Sequence, residues 1–267
     1  MSAVFGSLIG GQASHESLRP SGANITQRLM KEAEQLADWL DALDRPDKQM
    51  LRVSVDGLIV ALQDSPESVK ILLERLGDSN RKNRWPIAYI LAHLPQPPTE
   101  AFDILLAALD NPDPDVRWAV ILLLARLTKT ENAVMQLPIA LFATGTATQR
   151  RMVIYYLKEL KLQNETVQQA LLSGLKDSDA TVRVAAVITL KEQDLDSGGK
   201  KALLELLVRD PDVRVQHAAA ITLASLGSPS TEFLAALDQA TQTAQTPLKK
   251  AVAAALRILQ EKKRSVP

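Results

Sequence analysis

Side chains able to do chemistry are scarce and dispersed in this chain. There is no cysteine, and the three histidines stand far apart at His15, His93 and His217. The lack of cysteine removes disulfides, thiolate zinc sites, iron–sulfur ligation and cysteine nucleophiles together. Only His15 has an acidic neighbour in sequence, Glu16, so no histidine–carboxylate set forms and no metal is expected. The turn Asp110–Asp115 (DNPDPD) looks superficially like a calcium loop. It lacks the spacing and the terminal glutamate of an EF-hand, and reads as a helix cap. There is no glycine-rich phosphate loop and no Gly-x-Ser-x-Gly elbow. The expectation is therefore no catalytic residue, no cofactor and no intrinsic enzymatic activity.

What does recur is arginine. Arg84, Arg117, Arg150 and Arg183 stand 33 residues apart, and Gln216 and Lys249 continue the column. Six residues before each come Asp78, Asn111, Thr144, Asp177, Asp210 and Thr243. A guanidinium at a fixed distance after an acid suits a half-buried bond to that acid and to turn carbonyls. Arg183 is accordingly expected to bond Asp177. Basic clusters also occur at 81–84, 150–151, 200–201, 249–250 and 262–264. With 31 basic and 31 acidic residues the net charge is zero, which gives a nucleic-acid or anionic-membrane surface no support.

These columns need an element that repeats. Seven residues after the arginine column lies Leu91, Leu124, Leu157, Leu190, Leu223, Leu256. The chain has 42 leucines in 267 residues, so six in one register would arise roughly once in 50,000 by chance. Each period holds two helical patterns. Leu105, Leu106 and Leu109 mark the first helix of one, with Leu72, Leu73 and Leu76 and with Leu171, Leu172 and Leu175 as counterparts. A turn rich in Asp, Asn and Pro stops that helix and caps the second. Such a hairpin cannot bury its apolar face alone, whereas stacked copies can. The expected fold is all-α, an α-solenoid of seven antiparallel helix pairs starting near 26, 66, 100, 132, 165, 198 and 230. Residues 1–24 are expected to be a flexible tail, 25–260 the solenoid, and 261–267 a charged tail.

One face of the second helices is unusual. At about 100° per residue, the buried positions fall three, four, seven and ten after the arginine column. The opposite side falls at one, five and nine. Position one reads Trp85, Trp118, Arg151, Val184, His217, Lys250, and position five reads Tyr89, Leu122, Tyr155, Ile188, Ile221, Ala254. Position five is apolar in every row, although plain exposure to water would make it polar. Exposed aromatic residues are the usual composition of an interaction hot spot. Trp85, Tyr89, Trp118, Leu122, Arg151 and Tyr155 are thus the expected binding residues for a protein or peptide partner, with the two indoles standing as neighbours.

The segments DNPDPDVRWAVILLLARL, KDSDATVRVAAVITL and RDPDVRVQHAAAITLASLG resemble HEAT repeats of the short bacterial type, as in phycobilin-lyase subunits and many scaffolds. The likeness covers about residues 26–260. It implies a solenoid whose Asp and Arg columns form a ladder through the stack. By that pattern Asp78/Arg84, Asn111/Arg117 and Asp177/Arg183 match, and the ladder is interrupted at Arg150 and at Gln216. It further implies a scaffold or adaptor with a partner in a concave groove. The alternatives are a bilin-lyase-like subunit and, after it, a nucleic-acid-binding protein. The longest apolar run, Trp118–Ala125, is too short to span a membrane, so a cytoplasmic protein is expected.

Overall fold

The computed structural model describes residues 22–264, apart from 46, 79, 82, 227–229 and 244–245. His15 and Glu16 therefore lie outside the described residues, as does the expected N-terminal tail up to residue 21. Fourteen α-helices and one short 3-10 turn make up the described chain, with no strand among these residues. By contact the chain divides into two compact units, Met1–Lys70 and Ile71–Pro267.

In the first unit α1 (Gly22–Ala42) packs on α2 (Lys48–Asp64). Asp47 caps α2 by accepting from the Met50 N–H at 2.9 Å. The pair closes around Leu40, Leu43, Leu58 and Leu62, all buried. Gly57 sits in mid-helix because the Trp39 indole lies against it: a Cβ there would come within 2.5 Å of the ring. α3 (Pro66–Gly77) spans the division between the units.

The second unit continues with α4 (Trp85–Leu91), α5 (Thr99–Ala108), α6 (Pro114–Thr130), α7 (Gln136–Thr144) and α8 (Ala147–Leu160). It ends with α9 (Glu165–Gly174), α10 (Ala180–Leu190), α11 (Ser197–Arg209), α12 (Val213–Leu226), α13 (Thr231–Thr243) and α14 (Thr246–Arg264). Odd and even helices pair as α7 with α8, α9 with α10, α11 with α12 and α13 with α14. The even helices α6, α8, α10, α12 and α14 pack in series, each on the next. That is the solenoid order the repeat implies.

The turns explain the helix boundaries. Asp113, Asn164, Asp179 and Asp196 each accept from a backbone N–H in the first turn of the helix they open. Thr146 and Gln149 form a reciprocal capping box at the start of α8. α4 is shorter than its counterparts, with seven residues against eleven in α10. Pro95, Pro97 and Pro98 follow it and cannot continue a helix, so His93 and Leu94 fall in the turn. At the C-terminal end the expected charged tail is helical through Arg264 as the last turn of α14, and residues 265–267 lie outside the described set.

The core is the set of columns that the period implies. Ile87, Val120, Val153, Ala186 and Ala219 are all fully buried, as are Leu91, Leu124, Leu157 and Leu190. The exceptions are Ala253 and Leu256 of α14, which are exposed, and Leu94, Leu127 and Leu226 at the tenth position, which are half-buried. Two buried hydroxyl contacts tie neighbouring second helices. Thr128 of α6 meets the Tyr156 hydroxyl of α8 at 2.7 Å, and the Thr222 hydroxyl of α12 donates to the Val187 carbonyl of α10 at 3.2 Å. Burial pushes the Tyr156 hydroxyl up to about 12, against the weaker opposing pull of Thr128.

Candidate functional site

The arginine column is structural in its geometry. At the start of α10, Arg183 donates from Nη1 to the Asp177 and Ser178 carbonyls at 2.8 and 3.0 Å. Its other edge makes a two-pronged bond, Nε and Nη2 to the carboxylate of Asp210, each at 2.8 Å. Asp210 lies 27 residues on, in the turn of the next hairpin. The expected bond from Arg183 to the Asp177 carboxylate is therefore not made. Asp177 belongs instead to Arg150, which holds it at 2.6 and 2.9 Å and donates to the Gly145 carbonyl at 2.7 Å. Each guanidinium uses its own turn only through carbonyls and reaches forward for its acid. Each acid also accepts a backbone N–H from two residues on, Asp179 for Asp177 and Asp212 for Asp210.

This forward pairing corrects the expected pattern of gaps. The rung at Arg150 is intact because the acid it needs is Asp177, not Thr144. Gln216 breaks nothing before it, since Asp210 is already taken by Arg183. The gaps fall where the next turn has no acid. Arg84, with Asn111 in that place, bonds the Leu76 carbonyl at 3.2 Å. Arg117, with Thr144 in that place, bonds the Asn111 and Pro112 carbonyls, and its Nε is buried without an acceptor among the described residues. Asp78 accepts from the Asn80 N–H rather than from Arg84. Burial works to raise the acid pKa of Asp177, but the Arg150 bond, the Asp179 N–H and the Arg150 charge outweigh it, and the group lies below the ordinary carboxylate value.

The aromatic positions separate into two groups. Trp118 of α6 meets Tyr155 of α8 edge-on, with ring centroids 6.3 Å apart. Trp118 is 43% exposed and Leu122, one turn further along α6, is 47% exposed. Arg151 and Met152 of α8 complete a pocket of about 570 Å³ between the two helices, with Arg117 and Asp115 also on its wall. Trp85 instead stacks edge-on against Tyr89 at 6.4 Å within α4, and Tyr89 faces His93 at 5.2 Å. The His93 Nδ1 lies 2.9 Å from the Tyr89 carbonyl, which fixes the imidazole in the turn. Trp85 and Trp118 make no ring contact with each other; each indole pairs with a tyrosine. Equal places in successive repeats fix where a side chain starts, and Trp118 leans forward onto α8. Ile188 of α10, the next member of position five, is 49% exposed and extends the apolar strip beyond Tyr155. The signal for it was present, since the whole column is apolar.

Among the described residues no group of histidines and carboxylates is placed to hold a metal ion. None of the described helices is long and apolar enough to cross a membrane.

A series of helical hairpins whose second helices pack one on the next defines the class, an all-α solenoid. Residues 36–125 and again 69–158 match the family of HEAT repeats, so the stretch 36–158 carries HEAT repeats. Among solved structures, Cex1p is 16% identical with a TM-score of 0.51, over 93% of this chain and 56% of that one. Escherichia coli YibA is 18% identical with a TM-score of 0.48, over 95% of this chain and 99% of that one. The HEAT-like repeat protein of Thermococcus onnurineus is 13% identical with a TM-score of 0.45, over 85% and 97%. Identities this low speak to the fold alone. The curated proteins contain no match to the chain.

Proposed function

We propose that this chain is a non-enzymatic scaffold that binds a peptide segment of a protein partner along the exposed side of its second helices. The observation that carries the reading is the cluster of Trp118, Leu122 and Tyr155. Two large apolar side chains there are nearly half exposed and converge on one pocket. Aromatic anchors around a pocket, continued by exposed Ile188, have the composition of a hot spot and not of a solvated helix face. Ion pairs and carbonyl bonds already occupy Arg150 and Arg183, so these side chains serve the fold and are not a binding stripe. Trp85 and Tyr89 form a smaller aromatic group that belongs to the same binding side.

The test is capture by the full chain compared with Trp118→Ala. Trp118 is too exposed to hold the core, so the variant keeps its helical signal. A protein captured by the wild-type chain and then purified should bind the variant about thirtyfold more weakly or worse, the hot-spot scale. Equal binding by the two chains refutes the assignment.

A further inference from the structure

The α6–α8 pocket carries more charge than its apolar walls suggest. Two guanidinium groups, Arg117 and Arg151, line it against a single carboxylate, Asp115. Both have a buried Nε with no acceptor among the described residues. Elsewhere in the stack, at Arg150 and Arg183, the guanidinium has a carboxylate held at hydrogen-bond distance. Arg117 lacks one because Thr144 stands in the acid column, and Arg151 lies outside the ladder altogether. Burying a guanidinium edge costs free energy that only an acceptor or an opposite charge returns. The pocket is thus a local cationic, partly dehydrated place in a chain of zero net charge.

We propose that this pocket takes an acidic side chain of the partner peptide, an Asp or Glu whose carboxylate faces Arg151 while an adjoining apolar side chain packs on Trp118 and Leu122. The proposal rests on the peptide-binding reading above and adds the charge of the ligand to it. A carboxylate supplies what the ladder lacks at this place, and a planar guanidinium is the cation best matched to it. The edge-on pair of Trp118 and Tyr155 gives the apolar neighbour a rigid wall at low entropic cost. A basic peptide would instead set Lys or Arg against two guanidinium groups.

The experiment presents a display library of short random peptides to the immobilised full chain. Enriched sequences are then measured as labelled synthetic peptides by fluorescence anisotropy. The expected result is enrichment of Asp or Glu beside Leu, Phe or Trp. Arg151→Ala should then weaken binding about tenfold or more, with the thermal melt unchanged. Arg151→Glu should move the enriched set toward Lys and Arg, which a merely structural Arg151 would not do. Peptides that need Trp118 but are neutral or basic, or that bind the Arg151 variants equally, overturn this inference and leave the scaffold reading standing. Enrichment of nothing, or of peptides indifferent to both Trp118 and Arg151, overturns both.

Discussion

Replacing Arg183 with alanine removes the deepest rung of the ladder. The Arg183 and Asp210 side chains are 9% and 2% exposed, so the substitution leaves a carboxylate with almost no water to turn to. Two prongs of the ion pair disappear together with the bonds to the Asp177 and Ser178 carbonyls. Asp210 keeps one donor, the Asp212 N–H at 2.9 Å. Breaking a buried pair from one side costs about 3–5 kcal/mol, mostly because the remaining charge is stranded. The surviving N–H, and water admitted to the space the guanidinium vacates, hold the loss near the lower part of that range. For a chain of this size, each kcal/mol lowers the melting temperature by about 2–4 °C, so a fall of roughly 6–15 °C is expected. Circular dichroism melts and urea unfolding read it directly. Removing both charges with Arg183→Met and Asp210→Leu should recover most of the loss, because an apolar pair of similar volume is often no worse than a buried ion pair. Arg214→Ala, which removes an exposed partner of Asp212, should leave the melt unchanged. The reasoning fails if Arg183→Ala costs no more than Arg214→Ala, or if the double replacement is as unstable as the single one.

Acid should unfold the chain partly through Asp177. Its folded pKa is below the ordinary 3.8, so its contribution is complete above that value and disappears as pH falls through the folded pKa. The stability gap between wild type and Asp177→Asn, measured by urea unfolding, should be constant from neutral pH to about 5 and close below about 4. Lys161 holds a left-handed backbone, φ 54°, at the C-cap of α8, and Lys161→Gly should raise stability by about 1 kcal/mol in the same assay. Gly57→Ala should lower stability despite the better helix propensity of alanine, because the new methyl meets the Trp39 ring. A gain in melting temperature there would show that the indole moves aside at no cost.

The repeating hairpin and its core were legible in the sequence because both follow from local periodicity. A leucine every 33 residues and helical spacing within each period determine which side chains each helix buries. The same columns are the buried ones from Ile87 to Ala219. The Asp and Pro turns likewise carry their capping chemistry in the residues themselves, as Asp113 and Asp179 show. Arg150 and Arg183 were visible as types, but their partners were not. An acid six residues away along the chain competes with one 27 residues away, and only the placement of the next hairpin brings Asp210 to Arg183 and Asp177 to Arg150. The aromatic column divided for the same reason. Sequence spacing gives Trp85 and Trp118 equivalent starting points. Within α4 Trp85 meets Tyr89 one turn further on, whereas the packing of α8 on α6 offers Trp118 the ring of Tyr155. The unpaired guanidinium edges of Arg117 and Arg151 have no sequence signature at all, because an unmet hydrogen bond is a property of everything packed around a side chain.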